Sequence, residues 1–195
     1  MIKLILNIKH NCPAIWQGLE KVNGLLFRRR GRKALRIARP ILGQAAPEGF
    51  SFSLVSAEEL PALSEFLLAQ PEESLAYFRP HLFDVRTLRR LMDNPSFLMM
   101  KVTTASDGRI VGYFFLRCFF AGAGVAGLIV DEPVRNQGLG TSIWKVCREL
   151  CRKLHLMMFA TISEYNIPSL KSCGRGTQMK VVKKMADDYM LVKCK

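Results

Sequence analysis

The chain has too few cysteines, six in 195 residues, for a disulfide scaffold, and no two of them form the Cys-x-x-Cys pair that zinc and redox sites use. Cys12, Cys118, Cys173 and Cys194 stand alone. Cys147 and Cys151 fall one helical turn apart on an apolar stripe, where small buried thiols are expected. A reducing compartment and no metal follow. Acids are also scarce, with 16 Asp and Glu against 29 Lys and Arg and a formal net charge of +13. That excess is concentrated: ten basic residues lie within 1–46, where Glu20 is the single acid, so the remainder is only mildly basic. No long hydrophobic run survives inspection. The nearest, Ile110 to Val130, carries Arg117 near its centre and four glycines. A central arginine costs about 2.5–3.5 kcal/mol on insertion scales, which excludes a span and leaves two buried strands joined by a turn. The apolar run after Met1 is broken by Lys3 and Lys9 before reaching the length of a secretory core. The expectation is a cytoplasmic protein, with peripheral contact at the inner membrane face open to its basic segment.

At 49% apolar residues, the chain can bury a full core. Composition changes at Gly43 to Pro47, dividing a basic amphipathic helical arm, 1–46, from a domain over 47–195. In the arm, Ile15, Trp16, Leu19, Val22, Leu26 and Phe27 recur at helical spacing, followed by the cluster Arg28 to Lys33. Three roles are open for this helix: packing on the domain or on a second copy in a homodimer, contact with a membrane or anionic glycolipid, and nucleic-acid binding, the least favoured.

The domain reads as alternating elements. Phe50 to Val55 suits a strand, and Ser56 with Glu59 forms a capping box opening a helix through Leu60, Leu63, Phe66 and Leu67. A short helix over Asp84 to Met92 precedes strands Phe97 to Thr103, Ile110 to Phe119 and Val125 to Val130. Thr141 to His155 is the clearest helix, with Ile143, Val146, Cys147, Leu150, Cys151 and Leu154 on one stripe. Leu156 to Ile162 is a buried strand, Asn166 to Cys173 a short helix, and Met179 to Met185 with Tyr189 to Lys193 a terminal hairpin.

Chemistry concentrates between the strand ending at Val130 and the helix beginning near Thr141. Gly138 and Gly140 remove side chains where the chain must turn, so successive amides of Arg135-Asn136-Gln137-Gly138-Leu139-Gly140 can face one point at the positive end of a helix. Arg135 and Thr141 add a cation and a hydroxyl. The spacing lacks the Lys-Ser/Thr of a P-loop and the third glycine of a dinucleotide fingerprint.

Val-Asp-x-x-x-Arg-x-x-Gly-x-Gly over 130–140 resembles the acetyl-CoA loop of the GCN5-related N-acetyltransferase (GNAT) family, and the order of elements from Phe50 onward extends the likeness. The resemblance implies an α/β (α+β) fold, a mixed, mostly antiparallel twisted sheet of about seven strands flanked by about four helices. It implies acetyl-CoA as cofactor, held by the backbone of Leu128, Ile129 and Val130, by Arg135 to Thr141, and by Asn166 and Ser169, which match an Asn-x-x-Ala/Ser signature. Asn166 followed by Pro168 is equally a plain helix start. Transfer to a primary amine by direct attack follows, on an acceptor such as an amino sugar or envelope precursor. An inactive CoA-binding module and a nucleic-acid-binding domain are the alternatives. A base and an acid are needed. Where many relatives carry a tyrosine acid, this chain has Cys173, which leaves Tyr165, Ser172, Cys173 or bound water as candidates, or a thiolate that departs without a dedicated acid. Glu164 is the first choice of base, followed by Asp131 and His81. Arg79, Arg86 and Arg117 are candidates for an acidic acceptor.

Overall fold

The computed structural model describes residues 13–195, with side chains from residue 18 onward. The readings of Lys3, Lys9 and Cys12, and of the Ile15 and Trp16 side chains, lie outside the described residues.

A long helix, α1 (Pro13–Ala45), leads into strand β1 (Phe50–Leu54), then α2 (Leu60–Leu68), a single turn α3 (Glu72–Leu75) and α4 (Val85–Met92). Strands β2 (Phe97–Thr104), β3 (Ile110–Phe119) and β4 (Ala123–Val130) follow, then α5 (Leu139–Lys153), β5 (Met157–Ser163), α6 (Ile167–Gly176), β6 (Met179–Lys184) and β7 (Tyr189–Cys194). The strands form one mixed sheet ordered β1-β2-β3-β4-β5-β7-β6, antiparallel everywhere except between β4 and β5.

Period-two alternation divides the sheet's two faces. Leu98, Met100, Phe114, Leu116, Met158 and Ile162 join the core under α1 and α5. Phe97, Met99, Tyr113, Phe115 and Ile129 face the opposite way, against Leu60, Leu63 and Leu67 of α2 and Leu88 and Leu91 of α4. Asp84 starts α4 as a true cap, its carboxylate accepting from the Thr87 amide at 2.8 Å. The capping box at Ser56 forms only its returning half, Glu59 accepting from the Ser56 amide at 2.9 Å, and α2 begins only at Leu60, with Glu59 in the cap position. The single turn α3 was not anticipated.

The stripe in α1 differs from the expected one. Phe27 is fully buried, but Leu19, Val22 and Leu26 are about half exposed, and the packed face is instead Gly24, Phe27, Gly31, Ala34, Ala38 and Leu42. Small residues win because the helix lies close to the chain before β2: a β-carbon added at Gly24 would stand 2.5 Å from Asn94, and one at Gly31 would stand 2.4 Å from the Pro95 carbonyl. The helix also runs on to Ala45 through Pro40, which lacks an amide to donate.

Polar bonds fix the register of α1. Glu20 is ion-paired to Arg117 of β3 and, at 3.0 Å, to Arg90 of α4. Arg117 lies over the Phe97 ring, 5.3 Å from its centroid. Asn23 donates to the Cys118 carbonyl and accepts from the Phe120 amide, both at 2.9 Å. The segment set apart by composition is thus joined to the domain through its own buried face.

Removing one member of a buried ion pair takes away the charge that compensates the other. Glu20→Gln is expected to lower unfolding free energy by about 3 kcal/mol, measured by urea denaturation of the full chain. A loss below about 1 kcal/mol would show the pair to be a surface contact in energetic terms.

Candidate active site

The parallel contact between β4 and β5 is short. Ala123, Gly124 and Val125 pair with Met157, Met158 and Phe159, and there the register ends. Beyond it β4 stays on β3 as far as Val130 while β5 stays on β7 as far as Ser163, so the two diverge. The Asp131 amide donates to the Val111 carbonyl, and pleat alternation therefore turns the amides of Leu128 and Val130 away from β3 and into the gap. A cleft of about 900 Å³ occupies the divergence, walled by Ala126–Val130 on one side and Thr161–Ser163 on the other.

At the end of β4 the chain makes a short 3₁₀ turn, Glu132–Val134, and enters α5 through a left-handed Asn136 and a left-handed Gly138, with φ of 63° and 81°. These two inversions point the loop amides outward. The first hydrogen bond of α5 runs from the Ser142 amide to the Gly138 carbonyl at 3.0 Å, and no side chain caps the helix. Among the described residues, none accepts from the amides of Asn136 to Thr141. Six consecutive donors at a helix N-terminus make an anion cradle. Arg135 fixes the entrance, donating to the Val130 carbonyl at 3.1 Å and to the Ser74 hydroxyl at 2.7 Å.

The opposite wall is α6. Asn166 accepts from the Ser169 amide at 3.1 Å and so caps that helix, while both residues line the cleft. Ser172 accepts from the Trp144 indole at 3.2 Å and donates to the Ser169 carbonyl at 3.0 Å. A β-carbon at Gly140 would meet Ser172 at 3.2 Å, and one at Gly176 would meet Trp144 at 2.7 Å, so these two glycines let α5 and α6 close on each other.

Of the six residues expected to move protons, the structure brings two to the cleft, Tyr165, which is 63% exposed, and Ser172. Glu164 pairs with Lys184 at 3.3 Å, outside the cleft. Asp131 pairs with Arg109 at 3.3 Å and accepts from Gln70 at 3.4 Å, closing the turn after β4. His81 sits in an aromatic box of Phe83, Phe97, Tyr113 and Phe115, its Nε2 3.0 Å from the Tyr113 hydroxyl. Cys173 is fully buried, 3.6 Å from both the Cys194 sulfur and the Thr177 hydroxyl. That contact with Cys194, followed by burial, holds its thiol well above the ordinary range. Arg117 is committed to Glu20, and neither Arg79 nor Arg86 lines the cleft.

Sequence reasoning missed Glu73, Ser74 and Tyr77, which come from the segment around α3 to form the outer rim with Glu132. The Tyr189 hydroxyl donates to the Ala76 carbonyl at 3.4 Å, tying the terminal hairpin to that rim. Apart from the Pro71 that opens α3, nothing in the local pattern marks these residues, because only the fold carries them to the cleft.

A family model described as Acetyltransferase (GNAT) family matches residues 60–174. Among solved structures, the ribosomal-protein-S5-alanine acetyltransferase from Vibrio fischeri is 15% identical, with 76% of this chain and 93% of that chain covered and a TM-score of 0.62. RimJ from Mycobacterium smegmatis, solved in complex with CoA-disulfide, is 19% identical over 74% of this chain and 80% of that one, with a TM-score of 0.59. An aminoglycoside acetyltransferase in complex with coenzyme A and kanamycin is 15% identical over 75% and 95%, with a TM-score of 0.57. No curated protein matches the chain.

The five described cysteines are all buried, and burial raises the thiols of Cys118, Cys147 and Cys151 as well. Iodoacetamide at neutral pH is therefore expected to leave Cys118, Cys147, Cys151, Cys173 and Cys194 unmodified in the folded protein and to label them in denaturant. Peptide mapping by mass spectrometry reads the result, and fast native labelling of Cys173 would return it to the cleft.

Proposed function

The chain belongs to the acetyltransferase (GNAT) family, and on that premise we propose that it is an N-acyltransferase moving the acetyl group of acetyl-CoA to a primary amine. The observation that carries this reading is the run of unaccepted amides from Asn136 to Thr141 at the mouth of the diverging strands. It offers a diphosphate the donors it requires, and the gap beyond it is lined by free backbone groups that suit an extended amide-bearing arm. Acetyl-CoA, when bound, supplies the thioester carbon that the amine attacks.

The chain's own residues divide the remaining work. Amides of Asn136 to Thr141 bind the anionic end, and Arg135 keeps the loop attached to Val130 while adding positive charge. The Leu128 and Val130 amides face the gap, where a donor stabilises oxygen charge developing during attack. Tyr165 is the proton donor we assign, because it lines the cleft, whereas the hydroxyl of the other candidate there, Ser172, is already engaged by the Trp144 indole and the Ser169 carbonyl. The incoming ammonium loses its proton through water to Glu73 or Glu132, whose carboxylates stand at the rim. Trp144, by holding Ser172, keeps the wall on which Asn166 and Ser169 sit.

The lining holds Arg135, Lys171 and Arg175 as well as Glu73 and Glu132; the cations suit the phosphates of the coenzyme, and the two carboxylates suit the ammonium of an acceptor. An amino sugar or an amine-bearing envelope precursor fits that charge, and it is the acceptor class we favour.

Release of free thiol from acetyl-CoA, followed across amino sugars, aminoglycosides, polyamines and peptide N-termini, tests the reading. Amine-dependent release is expected; acetyl-CoA binding with no release for any amine would make the chain an inactive coenzyme binder. Gly138→Glu is expected to abolish acetyl-CoA binding, because a carboxylate would enter the cradle from a position where a side chain meets no other atom within 4 Å. A left-handed non-glycine costs only about 1–2 kcal/mol, so the variant should stay folded by circular dichroism; unchanged affinity would remove the cradle from the mechanism. Tyr165→Phe should lower kcat about 10²-fold or more with little change in KM, and an unchanged kcat would exclude it as the acid.

A further inference from the structure

We propose that the outward face of α1 is a docking surface for an anionic lipid bilayer. This goes beyond the acyltransferase reading and does not depend on it. The inward face of the helix is fully used by the core, so the outward one can be read separately. Along it, Val22, Leu25, Leu26, Arg29, Lys33 and Arg36 form a single stripe at helical spacing that changes from aliphatic to cationic along its length. The aliphatic half is conspicuously open: Val22 is 57% exposed, Leu25 69% and Leu26 52%.

Three further observations point to the same occupant. First, Phe120, in the turn between β3 and β4, is 50% exposed and is bound to the helix through Asn23 and Arg30, which share a stripe with Leu26. An aromatic side chain thus extends the apolar patch from a separate element. Second, Lys21, Arg28, Arg29, Arg32, Lys33, Arg36 and Arg39 are all exposed, and none of them forms an ion pair among the described residues. Third, the only acid in this part of the chain, Glu20, is turned inward onto Arg117 and Arg90. The outward face therefore presents positive charge with no internal neutralisation.

Apolar side chains beside unneutralised cations match a surface that is itself apolar beneath an anionic layer. A second copy of the chain would place like charges against each other across the interface. A nucleic acid would satisfy the cations but leave Val22, Leu25 and Leu26 without a partner, since base stacking needs interleaved aromatics. No helix among the described residues is long and apolar enough to cross a membrane. The helix, about 50 Å long at 1.5 Å per residue, lies flat along the domain and can meet a bilayer over much of its length.

Flotation of the full chain with vesicles tests this. Binding to phosphatidylcholine vesicles containing phosphatidylglycerol at about 3:1 is expected to exceed binding to phosphatidylcholine alone by about tenfold or more, and to fall when salt rises from about 0.1 to 0.5 M. Leu25→Ser with Leu26→Ser, and separately Arg29→Glu with Lys33→Glu, should each reduce anionic-vesicle binding about tenfold. Thermal midpoint and coenzyme binding should not change, because these side chains are exposed and remote from the cleft. Equal binding to both vesicle types overturns the proposal. So does full retention of binding in the serine variant with displacement by an oligonucleotide, which would mark a nucleic-acid surface. A concentration-dependent dimer that the serine variant abolishes, without vesicle binding, would mark a second copy instead.

Discussion

The structure depends on a sheet that is deliberately incomplete. Beyond Val125 and Phe159, β4 and β5 part, and the inward amides of Leu128 and Val130 find no strand to accept them. Each backbone hydrogen bond left unmade in a buried setting costs about 1–3 kcal/mol, so the divergence persists only because stronger interactions impose it. On one side β4 is held by eight paired positions with β3. On the other β5 is held by six with β7. The Arg135 fork on the Val130 carbonyl and the Ser74 hydroxyl prevents the free end of β4 from curling back across the gap. What results is a slot lined with backbone donors and acceptors in fixed positions, which is the form a site must take to orient a flexible amide-bearing molecule without reorganising itself.

The same logic governs the loop that follows. A helix N-terminus ordinarily receives a Ser, Thr, Asp or Asn side chain, which would consume one of its donors. Here the cap is Gly138, left-handed and without a side chain, so the donors remain available. The close contact of Gly140 with Ser172 and of Gly176 with Trp144 then brings α6 near enough to complete the slot. Glycine is thus used twice for different physical reasons: once for a backbone angle and once for a distance.

Much of this was legible in the sequence, and the failures have specific causes. Helices followed from their single apolar stripes and the central strands from apolar, β-branched and aromatic runs buried on both faces, and the phosphate-binding loop followed from glycine spacing between a strand and an amphipathic helix. Orientation was less accessible. Asp131 looks like a site residue because it adjoins the loop, but its backbone still obeys the strand's pairing with Val111, which sends the carboxylate to Arg109. Cys173 occupies the position of a proton donor in sequence and yet faces Cys194, since α6 turns that side inward to pack on β7. Glu73 and Tyr77 could not be assigned because their approach to the cleft is a property of the whole fold. In α1 two apolar sets compete, one bulky and one small, and periodicity alone chooses the bulky one; close approach to Asn94 and Pro95 selects the small one.

That selection also explains the charge of the chain. A net +13 would repel a cationic acceptor if it were spread evenly, but the charge is partitioned. Exposed cations of α1 lie on the outside of a helix whose first half is bonded to Cys118 and Phe120, at the end of β3. The cleft opens at the other end of the same strands, near Val130, which pairs with Gly112 at the start of β3. Its lining carries Glu73 and Glu132 together with Arg135, Lys171 and Arg175. For the cations of that first half, Lys21, Arg28 and Arg29, the separation along β3, ten residues at about 3.3 Å each, exceeds the Debye length of about 8 Å at physiological salt. Over that half the two fields act independently: one sets what the outer helix meets, and the other acts on what enters the slot.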